Sequence, residues 1–152
     1  MQAALLLLLS VVAGCPKEPG DYEAKIHVCG VNRKFLFHLP PCYDGCRRLP
    51  VVFVFHGMSA NAKLVQKFSE MDATADKYGF ITVYPEGSGF SVLKSFKAGG
   101  TTMARAQNKP DDVAFVDAII DDLQRGLCID CDRIYATGLS NGAMMCHRLA
   151  VE

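Results

Sequence analysis

The sequence has no excess of charge of either sign. Its 152 residues carry 16 basic and 16 acidic side chains, so the formal net charge is zero. Proteins that bind nucleic acids or anionic membrane surfaces generally concentrate positive charge. The composition therefore gives no reason to expect either partner.

Long hydrophobic runs are also missing. The apolar run at residues 3–14 is too short to span a bilayer and ends in small residues, which is typical of a secretory signal peptide. We predict a signal peptide over residues 1–14 and a secreted, extracellular protein. Residues 12–15 also resemble a bacterial lipoprotein cleavage site, so a membrane anchor through a lipid on Cys15 is the alternative.

No internal repeat or domain linker is visible in the rest of the chain. A sequence of 152 residues that is 50% hydrophobic is typical of one ordinary globular domain. We therefore assign residues 15–152 to a single domain.

Seven cysteines indicate an oxidising compartment, in agreement with the predicted signal peptide. Two closely spaced pairs are present, Cys42 with Cys46 and Cys128 with Cys131. In an exported protein such pairs favour disulfides, although the four thiolates could also bind a zinc ion. The second pair precedes a predicted strand, whereas a redox-active CxxC opens a helix, so we do not expect a redox role.

Hydrophobic patterning predicts an α/β protein with a mostly parallel sheet and an N-terminal hairpin. Apolar runs without alternation indicate strands that are buried on both faces. The expected strands are residues 22–28, 33–39, 51–55, 80–84 and 134–137. The expected helices are residues 59–78, with Leu64, Phe68, Met71, Ala75 and Tyr78 on the buried face, and a second helix that begins after Pro110. Residues 87–110 are predicted to form a long loop.

A G-x-S-x-G motif at residues 138–142 lies between the last predicted strand and a predicted helix. This is the context of a nucleophile elbow, a sharp turn that exposes a serine hydroxyl. Gly138 and Gly142 are needed there, because side chains at these positions would collide with the neighbouring strand and helix. Ser140 is therefore the candidate nucleophile.

Several segments together resemble the secreted α/β-hydrolase esterases of the polyhydroxybutyrate depolymerase and feruloyl esterase family. The resemblance implies an α/β-hydrolase fold and a carboxylic ester hydrolase that needs no metal or cofactor. The implied substrates are feruloyl or acetyl esters of plant polysaccharide, or hydroxyalkanoate polyesters. The segments are VVFVFHG at 51–57, GFITVYPEG at 79–87, SFKAGG at 95–100, DDVAFVDAIIDDL at 111–123 and IYATGLSNGAMM at 134–145.

The resemblance also implies roles for single residues. Ser140 would attack the ester, and the backbone N–H groups of Met58 and Asn141 would form the oxyanion hole. His56 and Gly57 would begin the oxyanion loop, with His56 in a structural role. The family often has cysteine in place of Met58 and tends to have Trp-Asn at residues 96–97, where this chain has Phe-Lys.

A general base for the serine is missing from the sequence. In α/β-hydrolases the triad acid and histidine follow the elbow helix, and here His147 is the only histidine after Ser140. Seven residues of helix separate the two by roughly 10 Å, which is too far for contact. We therefore expect an N-terminal part of a longer protein, ending after the elbow helix and inactive alone, with its Asp or Glu and its His encoded beyond Glu152.

The implied strand order makes a prediction about the cysteines. The strand at 51–55 would lie between the strand at 80–84 and the elbow strand. Parallel neighbours begin at the same edge of the sheet, so the loops before them should meet. We predict at least one disulfide between the 42/46 pair and the 128/131 pair. Two local bridges or a shared zinc ion are the alternatives.

Two other functions are compatible with the sequence. One is a peptidase-like member of the same fold, and the other is a secreted binding module without catalysis. The intact serine and glycines of the elbow favour the esterase.

Overall fold

The computed structural model describes residues 18–90, 94–99 and 110–152. The predicted signal peptide, Cys15 and parts of the predicted loop at 87–110 lie outside these residues. Within the described ranges, no helix is long and apolar enough to cross a membrane.

The elements follow the predicted order, with an N-terminal hairpin followed by alternating strands and helices. They are β1 (Gly20–Val28), β2 (Val31–Leu39), β3 (Leu49–Phe55), α1 (Ala62–Ser69), α2 (Met71–Tyr78), β4 (Ile81–Pro85), α3 (Asp112–Gly126), β5 (Ile129–Gly138) and α4 (Asn141–Leu149).

The strands form one mixed sheet in the order β1-β2-β4-β3-β5. The hairpin strands pair antiparallel, β2 runs antiparallel to β4, and β3 is parallel to both β4 and β5. The prediction that β3 lies between β4 and the elbow strand is confirmed. The elbow strand is longer than expected, because its first residues pair with Leu49 before the register shifts.

Apolar side chains from β3, β4 and α3 form the core. All five residues of β4 are buried, and Phe53 and Phe55 of β3 are almost fully buried. Phe115 of α3 is buried in the same cluster. The prediction that unalternating apolar runs become central strands is therefore confirmed.

The predicted single helix over residues 59–78 is wrong. Two helices occupy this segment, separated at Glu70, whose backbone is left-handed with a φ of 52°. The predicted buried face is right only in part. Ala75 is buried and Met71 is half-buried against the core, but Leu64, Phe68 and Tyr78 are 54%, 74% and 68% exposed. Smaller residues face the sheet, because they allow the helices to approach it closely. These buried residues are Ala62, Val65 and Ala75.

A buried ion pair joins the hairpin to the start of α3. The Arg33 guanidinium lies 2.7 Å from the Asp112 carboxylate, and both side chains are buried. Arg33 also stacks over the ring of Phe115, 4.0 Å from its centroid. Desolvated charges are tolerated only when paired, so this contact fixes where the long helix begins relative to the sheet.

His38 on β2 links the hairpin to α2. Its Nδ1 lies 2.7 Å from Asp21 on β1, and its Nε2 lies 2.7 Å from Asp76 on α2. A carboxylate can only accept, so both ring nitrogens donate only when the imidazole is protonated. Burial lowers the pKa of His38, but the bonds to Asp76 and Asp21 and the charge of Asp72 outweigh it and raise the pKa overall.

The protein should therefore lose stability as the pH rises through the folded pKa of His38. A raised pKa contributes stability that is fully present below the unfolded value of about 6.5 and is lost above the folded value. We expect the free energy of unfolding, measured by urea titration from about pH 6 to pH 9, to decline. His38→Gln should remove this dependence, and an unchanged pH profile in this variant would contradict the assignment.

The two cysteine-bearing loops meet, as the strand order predicted. The Cys128 thiol lies 2.7 Å from the carbonyl oxygen of Gly45, next to Cys46. The Cys128 backbone N–H also donates to the hydroxyl of Tyr43. The six described cysteines are nevertheless free thiols in the structure, and no three of them gather as a metal site within the described ranges. The cross-loop disulfide is absent from the structure and stays a prediction.

Peptide mapping of the secreted protein without reductant tests that prediction. A bridge between the two loops should appear as a peptide carrying one cysteine from each pair. We expect this linkage because the thiol of Cys128 already contacts the 42–46 loop. Recovery of only the two local bridges, or of four free thiols, would show it to be wrong.

Candidate active site

Ser140 occupies the sharp turn between β5 and α4. Its φ of 53° and ψ of −115° lie in a region that residues with a side chain rarely adopt. The hydroxyl-bearing residue is exposed and immediately precedes the first turn of α4. The turn therefore presents a strained serine at a helix N-terminus, where free N–H groups and the helix dipole favour negative charge.

The two glycines of the motif have the steric role that the sequence indicated. A Cβ at Gly142 would lie 2.3 Å from the carbonyl oxygen of Phe55, and a Cβ at Gly138 would lie 2.6 Å from the carbonyl carbon of Gly142. These neighbours are backbone atoms that cannot rotate away. The absent side chain at Gly138 lets the turn close on the start of α4, and the absent side chain at Gly142 lets α4 pack against the end of β3.

The loop after β3 lies directly against the serine. A Cβ at Gly57 would be 3.7 Å from the Cβ of Ser140 and 3.4 Å from the carbonyl oxygen of Leu139. The Leu139 N–H donates to Phe55 at 3.2 Å, which holds the turn to the end of the strand. The segment His56-Gly57-Met58 and the candidate nucleophile thus lie side by side at the carboxyl ends of β3 and β5.

His56 is fully buried and supports the loop. Its Nε2 accepts a 2.9 Å hydrogen bond from the Gly87 N–H, so Nδ1 carries the hydrogen that binds the Gly57 carbonyl at 2.7 Å. Burial lowers the pKa of His56, which outweighs the opposing effect of the Gly57 carbonyl. A neutral imidazole with both nitrogens occupied fits the predicted structural role.

A segment that we call the strap, residues 94–99, crosses the site and joins its parts. The side-chain amide of Asn141 accepts from the Phe96 N–H at 2.7 Å and donates to the Phe96 carbonyl at 3.1 Å. The Lys97 N–H donates to Asp112 at 2.5 Å, and Arg148 donates to the Lys97 carbonyl at 2.5 Å. The ring of Phe96 packs on His56 with centroids 4.7 Å apart.

Sequence reasoning missed the side chains that hold the strap. The sequence indicates the segment SFKAGG only through the family resemblance, and it predicts a role for the backbone of Asn141 alone. The bonds that Asp112 and Arg148 make to Lys97 gave no signal, because bonds from a side chain to a distant backbone leave no periodicity or fixed spacing. The Asn directly after the serine was the one available hint.

No described histidine is placed to activate the serine, since none of them hydrogen-bonds the Ser140 hydroxyl. His147 is exposed on α4, and His27 bonds to Asn32 in the hairpin. One group in the described part of the chain has ligand atoms close enough for a metal ion, Asp21 with His38 and Asp72. It belongs to the hairpin contact with α2, and its atoms already hydrogen-bond to one another and to neighbours.

Known proteins resemble the chain in sequence and in structure. It is 33% identical over 138 residues to "Probable feruloyl esterase C" of Aspergillus clavatus, covering 91% of this chain and 47% of that protein. Its structure is similar to an S-formylglutathione hydrolase from Agrobacterium tumefaciens, with a TM-score of 0.70, 16% identity, and coverage of 86% and 52% of the two chains. A ferulic acid esterase gives a TM-score of 0.67 at 15% identity, with coverage of 85% and 52%.

The structural likeness confirms the predicted α/β-hydrolase fold. The chain spans about half the length of the proteins it matches. The sequence profile described as esterase PHB depolymerase matches residues 34–152, and the chain belongs to that family.

Proposed function

We propose that the protein is a serine esterase that hydrolyses carboxylic esters with Ser140 as its nucleophile. The observation that carries the proposal is the strained serine held beside the His56-Gly57-Met58 loop. The names of similar proteins, which are esterases, support the same reaction class.

The reaction would begin with attack of the Ser140 hydroxyl oxygen on the ester carbonyl carbon, while a general base takes the proton. The carbonyl oxygen becomes negative and would accept hydrogen bonds from the backbone N–H groups of Asn141 and Met58. Asn141 is the first residue of α4, so its N–H has no partner within the helix. Collapse releases the alcohol, and water then hydrolyses the acyl-enzyme. One such donor typically contributes about 2.7–4 kcal/mol of transition-state stabilisation.

The general base would come from residues outside this sequence. Without a base the serine hydroxyl stays protonated and is a weak nucleophile. All four histidines are described, and His56 has both ring nitrogens occupied by the backbone. Proteins about twice as long, such as the Aspergillus clavatus relative, have room for an acid and a histidine after the elbow helix.

The substrates that we propose are feruloyl or acetyl esters of plant polysaccharide. The feruloyl esterase relative supports this choice, and the family description supports hydroxyalkanoate polyesters as the second candidate. Both are polymers too large to enter a cell intact, so a secreted enzyme suits either substrate. Secretion through the apolar run at residues 3–14, with lipid attachment at Cys15 as the variant, is part of the proposal.

The test uses the natural gene product, including whatever sequence the gene encodes after Glu152. It is assayed on p-nitrophenyl acetate, methyl ferulate and polyhydroxybutyrate, and is labelled with a fluorophosphonate. We expect ester hydrolysis, with methyl ferulate a better substrate than the polyester, and a label on the peptide that contains Ser140. Absence of both hydrolysis and labelling in folded protein would refute the esterase.

A further inference from the structure

The strap connects the two segments that would form the oxyanion hole. At one end the Ser59 N–H, next to Met58, donates to the Lys94 carbonyl at 2.9 Å. Two residues further along the strap, Phe96 forms the paired hydrogen bonds with the Asn141 amide. The oxyanion loop and the elbow are thereby held at a fixed separation through residues 94–96.

The contact at Asn141 is the one that controls the orientation of the elbow relative to the strap. The Asn141 side-chain amide accepts a hydrogen bond from Phe96 and donates another to the same residue, so the plane of the amide is fixed. Paired β-strands hold their peptide groups in the same way. The contact is buried, since Asn141 and Phe96 are 8% and 4% exposed. Buried paired hydrogen bonds compete little with water, so they hold geometry more tightly than exposed ones. The backbone N–H of the same residue is the proposed oxyanion donor.

We propose that the side chain of Asn141 is a positioning residue, which aims the two oxyanion donors by clamping the elbow to the strap. The inference rests on the proposed esterase function. It gives Asn141 a second role, through its side chain, beside the proposed role of its backbone N–H as an oxyanion donor. Arg148 and Asp112 hydrogen-bond to Lys97, the residue after Phe96. The strap segment that Asn141 binds is therefore already held in place by other contacts.

The experiment replaces Asn141 with aspartate in the natural gene product. Aspartate has the same shape and still accepts from the Phe96 N–H, but it places a charged acceptor against the Phe96 carbonyl. A misdirected donor acts mainly in the transition state, so kcat should fall about ten- to a hundredfold while KM stays within about twofold. Hydrogen exchange of the strap amides should become faster.

Asn32→Asp is the matched control, because it makes the same chemical change at an exposed hairpin residue. It should leave kcat, KM and strap exchange unchanged. If Asn141→Asp does not fold, Asn141→Ser removes the pair without adding charge and should show the same fall in kcat. An unchanged kcat in a folded Asn141 variant, or a change in KM alone, overturns the positioning role. An inactive wild type would instead refute the esterase, and the positioning role with it.

Discussion

Replacing Ser140 with alanine should lower the kcat for ester hydrolysis by at least about ten-thousand-fold. The hydroxyl is the atom that would form the acyl-enzyme, and no described nucleophilic side chain hydrogen-bonds it or shares its strained turn. The loss should appear in kcat, with KM little changed, because the binding surface and both proposed donors remain. Steady-state kinetics on p-nitrophenyl acetate measures it.

Ser69→Ala is the matched control for that result. Ser69 ends α1, far along the chain from the elbow, and its hydroxyl makes long hydrogen bonds to the Gln66 carbonyl at 3.5 Å and from the Met71 N–H at 3.4 Å. Its kinetics should equal those of the wild type. If Ser140→Ala kept more than about a tenth of the wild-type rate, covalent catalysis at the elbow would be wrong.

Replacing Gly142 with alanine should destabilise the fold by about 3 kcal/mol or more. Within a helix this substitution normally stabilises by up to about 1 kcal/mol, so the expected sign is reversed. The reason is the 2.3 Å approach of the new Cβ to the Phe55 carbonyl oxygen, with the His56 carbonyl oxygen 2.8 Å away. The helix would have to move off β3 and take the serine with it. Urea denaturation measures the loss.

Gly30→Ala separates steric overlap from backbone preference. Gly30 has a φ of 78°, which disfavours a side chain, but nothing lies within 4 Å of a Cβ there. We expect a cost of about 1 kcal/mol from conformation alone. A Gly142→Ala variant as stable as Gly30→Ala would contradict the prediction, because it would mean that the elbow can shift to make room for the new Cβ at little cost.

The parts of the fold that depend on local rules were predictable from the sequence. VVFVF became a central strand because an unalternating apolar run can bury both faces. The G-x-S-x-G motif between a strand and a helix is a recognisable local pattern, and Gly138 is needed for contacts within the turn itself. The prediction of a single helix over residues 59–78 was wrong. Its large apolar residues have helical spacing, yet small residues face the sheet and the chain turns at Glu70.

The contacts across the site could not be predicted in the same way. The bonds from Asn141 to Phe96 and from Arg33 to Asp112 span 45 and 79 residues. Their residue types are common on surfaces, and only the folded sheet brings them together. The sequence therefore indicated Ser140, the proposed nucleophile, whereas the residues that fix its surroundings required the structure.

The hydrogen bonds of His56 set a lower limit to the pH at which the site stays intact. Protonation of Nε2 would turn an acceptor into a donor facing the Gly87 N–H, so the imidazolium cannot keep both of its present bonds. A lowered pKa contributes stability that is present above about 6.5 and is lost as the pH falls through the folded value. Acid should therefore inactivate the protein by releasing the loop beside the serine. His38 has a raised pKa, so its contribution to stability is lost as the pH rises, whereas that of His56 is lost as the pH falls. The two histidines therefore limit, from above and from below, the pH range in which the chain is most stable.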